Sequence, residues 1–62
     1  MGAVNNVNAI TIRREDFHAA QAAMQDEYKL SRAGSIWMDL LVTREDHGRI
    51  VRAGISVVEA YG

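Results

Sequence analysis

Between Ile36 and Thr43 the chain alternates its side chains with period two. Ile36, Met38, Leu40 and Val42 fall on one side, and Trp37, Asp39, Leu41 and Thr43 on the other. Such a run reads as a strand with one apolar face. A strand of this kind is not stable alone. It needs hydrogen-bonded neighbours and a second layer over its apolar side. The remainder of a 62-residue chain must supply both, and without a cysteine no disulfide can help. The large apolar side chains number 21, a small core for one domain, so association with a second molecule is expected to contribute to stability.

The N-terminal part offers one further strand and a cover. Asn8, Ile10 and Ile12 alternate with Ala9 and Thr11, which predicts a strand over 8–13. Residues 1–6 read as an uncharged arm. Residues 14–31 read as one helix. Phe17, Ala20, Met24 and Tyr28 recur at helical spacing, and the run His18–Ala23 has high helix propensity. Glu15 and Asp16 stand at its start and Lys29 and Arg32 near its end, the order the helix dipole favours. Gly34 reads as its stop.

The last third supports two readings. As a hairpin, Val51, Ala53, Ile55 and Val57 would face Val42, Leu40, Met38 and Ile36, with a four-residue loop at 45–48. As a helix over 44–60, Thr43 would be the cap and Asp46 would lie three residues on. Gly48, Gly54 and the β-branched residues of this segment favour the hairpin. The expected fold is therefore α+β: a single β-α-β-β two-layer domain with one helix on a three-stranded sheet. Strand-helix-helix is the alternative. The triplet Arg14-Glu15-Asp16 recurs as Arg44-Glu45-Asp46, a short echo that chance suffices to explain.

The chemistry-bearing residues are sparse. The two histidines, His18 and His47, are far apart in sequence, and no cysteine accompanies them, so no metal site is expected. Ser31, Ser35 and Ser56 lie in no nucleophile elbow, and none of the glycines forms a phosphate-cradling loop. Neither an enzyme nor a cofactor is expected. A net charge of −1 argues against strong non-specific nucleic-acid binding, although six of the seven basic residues are arginine. No stretch is apolar enough to span a bilayer, and the N-terminus is not a secretory signal, so a cytoplasmic location is expected.

What remains is a contact surface. If one helix covers one sheet face, the other presents Trp37, Leu41, Ile50 and Val58 beside Asp39, Thr43 and Arg52. Tryptophan and arginine are enriched where interfaces have hot spots. The expected partner-binding residues are Trp37, Asp39, Leu41, Ile50 and Arg52, with Arg13, Arg14, His47 and Arg49 as secondary candidates. The expected function is a small protein-binding regulator or inhibitor that blocks a larger partner sterically, and self-association as a dimer is expected. In size and simplicity the chain resembles phage and mobile-element inhibitors, anti-CRISPR proteins among them. The strand-helix-helix alternative resembles the ribbon-helix-helix repressors and antitoxins in size and order. That resemblance implies a dimer that reads a major groove with Asn8, Thr11 and Arg13.

Overall fold

The computed structural model describes residues 7–59, so the expected arm at 1–6 lies outside the described residues. The elements are β1 (Val7–Arg13), a 3-10 turn (Arg14–Asp16), α1 (Phe17–Ala23), β2 (Lys29–Ala33), β3 (Trp37–Thr43), α2 (Arg44–Arg52) and the two-residue β4 (Val58–Glu59). The strands form one antiparallel sheet in the order β2-β3-β1-β4. Ile10, Ile12, Met38, Leu40 and Val42 point to one side, where Ala20 of α1 and Ile50 of α2 close a single buried cluster. The domain is α+β with two layers, as the alternation of β1 and β3 requires.

Two expected elements differ from those observed. The helix expected over 14–31 ends at Ala23, and 29–33 is a strand. The physical reason is tertiary. In a continued helix the N–H groups of Gln25 and Asp26 would bond carbonyls four residues back. Here both donate to the Asp46 carboxylate, at 2.9 Å each. Met24 and Tyr28 still pack on the core, from a loop rather than from a helix.

The expected hairpin between 35–43 and 49–58 does not form either. Its second arm is replaced by α2, and β3 pairs instead with β1 and β2. Both ends of α2 are closed by local chemistry that outweighs strand propensity. Thr43 Oγ1 accepts from Asp46 N at 3.0 Å. At the other end Gly54 takes φ +87°, and its N–H donates to Val51 O while Ile55 N–H donates to Ile50 O. That paired arrangement is a Schellman motif, and it seats Ile55 against the core. Because Trp37–Thr43 is a strand, the strand-helix-helix order is not that of this chain.

Candidate functional site

Both helices lie on one side of the sheet, so its other side is left open. Cross-strand partners share a face. Register therefore sets Arg13 beside Trp37, Thr11 between Val58 and Asp39, Asp39 beside Arg32, and Leu41 between Ala9 and Lys29. Trp37 is 45% exposed, and the Arg13 guanidinium lies 5.8 Å from its ring centroid, a cation–π contact. Thr11 Oγ1 donates to Asp39 Oδ1 at 2.7 Å, which occupies the one carboxylate on this face of β1–β3. Arg13 pairs with Glu15 at 3.4 Å, and Lys29 and Arg32 leave a basic excess beside Asp39.

The β2–β3 turn extends this face to the end of the molecule. Gly34 N–H donates to Trp37 O at 2.8 Å, and a Cβ on Gly34 would sit 3.1 Å from that oxygen, a tight approach that favours glycine. Ile36 projects from the turn, 63% exposed. It is held by two contacts from the β1–α1 junction: Arg14 N–H donates to Ile36 O at 2.8 Å, and Arg14 Nη1 donates to Gly34 O at 3.0 Å. Open grooves flank the turn, one of 620 Å³ beside Arg13, Arg14 and His18, and one of 330 Å³ beside Arg32, Trp37 and Asp39. The turn thus presents an exposed apolar pair, Ile36 and Trp37, with Arg13, Arg14 and Arg32 around it.

The expected site residues divide between this surface and the opposite layer. Trp37, Asp39, Leu41 and Arg13 share the open face, Val58 joins it from β4, and Arg14 stands at its end. Ile50 does not belong there. It is fully buried in the core from α2, because the segment is a helix and not a second hairpin strand. Arg52 is exposed, but on α2 beside Gly48, away from the sheet face. His47 Nδ1 lies 3.0 Å from Asn8 Nδ2, which also takes Asn8 off the face carrying Thr11 and Arg13.

Arg49 is committed to structure. It pairs with Asp46, and with Asp26 at 3.6 Å. Asp46 is fully buried. Burial pushes its pKa up, but the N–H groups of Gln25 and Asp26 and the Arg49 guanidinium outweigh this and hold it below its ordinary value. Its bond to Asp46 raises the Arg49 pKa against the opposing effect of burial.

Lys29, Arg32 and Ile36 were not expected at the site. The sequence pattern places Lys29 in the last turn of a helix over 14–31, Arg32 just past its end and Ile36 on the buried face. Gly34-Ser35 immediately before the alternating run is a turn signal that would have placed β3's hairpin partner on its N-terminal side.

Among the described residues no helix is long and apolar enough to cross a membrane, and no group of three or more His, Asp or Glu side chains could hold a metal ion. No protein-family model matches the sequence, and comparison with curated proteins and with solved structures found no match.

Proposed function

We propose that this chain is a non-enzymatic protein-binding module, a regulator or inhibitor that blocks a larger partner sterically. Trp37 is the anchor, Ile36 and Leu41 are its apolar neighbours, and Arg13, Arg14 and Arg32 contact carboxylates of the partner. One observation carries this reading: an open sheet face with a half-exposed tryptophan under an arginine. A side chain of that size left in water beside Ile36 is more useful covered than bare. A cytoplasmic location is part of the same proposal. Two copies of this face would oppose surfaces of the same net sign, Lys29 and Arg32 outnumbering Asp39 on each, which disfavours a second copy.

The test is a tagged pull-down from host lysate with wild type and Trp37→Ala side by side. A protein retained by wild type and lost by a variant of unchanged far-UV circular dichroism supports the proposal. Equal retention by a folded variant moves the contact elsewhere, and unfolding of the variant would make Trp37 a core residue.

A further inference from the structure

We infer that the free edge of β2 accepts an extended segment of the partner as an added strand, and that this segment alternates apolar with acidic side chains. The inference rests on the protein-binding reading above and names the mode of contact. Three features of β2 carry it. It is the terminal strand of the sheet, all five of its residues are exposed, and no strand of the described residues pairs with its outer edge. Its backbone is therefore a template for main-chain hydrogen bonds.

The two faces of that edge differ. On the inner side α1 has only seven residues and stops short of covering β2. Leu30 pairs with the fully buried Leu40 yet is itself 47% exposed. Beside it runs a groove of 280 Å³ lined by Arg14, Phe17, His18, Leu30, Ala33 and Met38. A strand laid along β2 would hang every second side chain over this groove, which suits apolar groups. On the outer side Lys29 and Arg32 stand at the same edge, and neither is in an ion pair among the described residues. The intervening side chains of the added strand would meet those two cations, which suits carboxylates.

The same features select against other occupants. A second β2 would bring Lys29 and Arg32 of both chains onto one face, and like charges across a sheet are destabilising. The register shift between Leu30 and Arg32 and the two cations blunt indiscriminate pairing, as edge strands generally require. Residues 1–6 carry no charged side chain and offer these cations no counter-ion.

The purified 62-residue chain would be used to select phage-displayed random peptides of about eight residues, the length of a strand. Enrichment of alternating apolar and acidic residues is expected, with the binder lost when alternate backbone nitrogens of the synthetic peptide are methylated. Lys29→Glu with Arg32→Glu should weaken that peptide by about tenfold or more and reselect lysine at the acidic positions. Lys29→Gln with Arg32→Gln serves in its place should charge reversal unfold the chain. Val51→Ala, at an exposed position of α2 away from both surfaces, should retain the peptide.

Peptides without alternation that Trp37→Ala loses would overturn the edge inference and leave the Trp37 surface standing. A concentration-dependent dimer broken by Leu30→Lys would overturn it in favour of a second copy. No enriched peptide, with salt-sensitive capture of a single-stranded oligonucleotide, would overturn this inference and the protein-binding reading together.

Discussion

The chain passes from strand to helix twice over the same three residues, and the two junctions end up as opposites. After β3, Arg44-Glu45-Asp46 opens α2 directly. Thr43 caps it, and Asp46 is buried in a closed set of bonds with Gln25, Asp26 and Arg49. After β1, Arg14-Glu15-Asp16 forms a 3-10 turn first. Arg13 provides no side-chain cap, and Asp16 makes no capping bond. The flanking residue decides the difference. Threonine can accept from the third N–H of the helix, whereas arginine carries no acceptor at all. One junction spends its polar groups on holding the layers together. The other leaves Arg13, paired with Glu15 at 3.4 Å, to lie over Trp37 and Arg14 to hold the Gly34–Ile36 turn.

The largest expected asymmetry is between the two aspartates. In Asp46→Asn one of the two oxygens that accept N–H groups becomes a donor facing a donor, and Arg49 loses its buried counter-charge. The expected loss of stability is on the order of 3 kcal/mol, whereas Asp16→Asn should stay within about 0.5 kcal/mol. Urea denaturation of both variants checks this. The pH dependence sharpens it. The Asp46 carboxyl titrates below its ordinary 3.8 in the folded chain, so its contribution is fully present above that value. It is lost as pH falls from about 4 through the lowered folded value. Wild type should therefore show an acid-dependent fall in its urea midpoint that Asp46→Asn largely lacks. Parallel profiles for the two would deny Asp46 its role as the clasp.

A smaller effect is expected at Thr43, whose hydroxyl also donates to Asp26 Oδ2 at 2.8 Å. Thr43→Ala removes the cap and this tie together, and should cost about 1–2 kcal/mol. The readout is a lower thermal midpoint with loss of amide protection beginning at Asp46. Unchanged protection there would place the start of α2 under the control of Ile50 packing rather than of its cap.

These contacts also explain what the sequence made legible. The inner and outer faces of β1 and β3 follow from alternation, and burial on this sheet obeys it: Ile10, Ile12, Met38, Leu40 and Val42 are inside and Trp37 is outside. Where α1 ends was not legible, because Asp46, 20 residues further on than Asp26, captures the N–H groups the helix would have used. The pairing of β3 was misread for a related reason. Lys29–Ala33 has little apolar alternation of its own and becomes a strand by lying beside Met38–Leu41. Trp37, Asp39 and Leu41 were placed correctly on one face because that judgement needed only β3. Ile50 and Arg52 were misplaced because theirs depended on the nature of the next element.

The finest test converts one junction toward the other. The backbone at Arg13, with φ −73° and ψ 143°, already resembles that at Thr43, with φ −70° and ψ 159°. Arg13→Thr therefore sets a capping hydroxyl where the geometry suits one, and should stabilise the fold by about 0.5 kcal/mol. It also removes the cation from Trp37 and the exposed pair with Glu15, losses that together are of similar size. The net change in stability should be close to zero, read as an unmoved urea midpoint, while retention of the partner falls. A stabilised variant that still holds the partner would mean that Arg13 only shields Trp37. A loss of binding without loss of stability would mean that the chain leaves this junction uncapped because the arginine is needed at the surface.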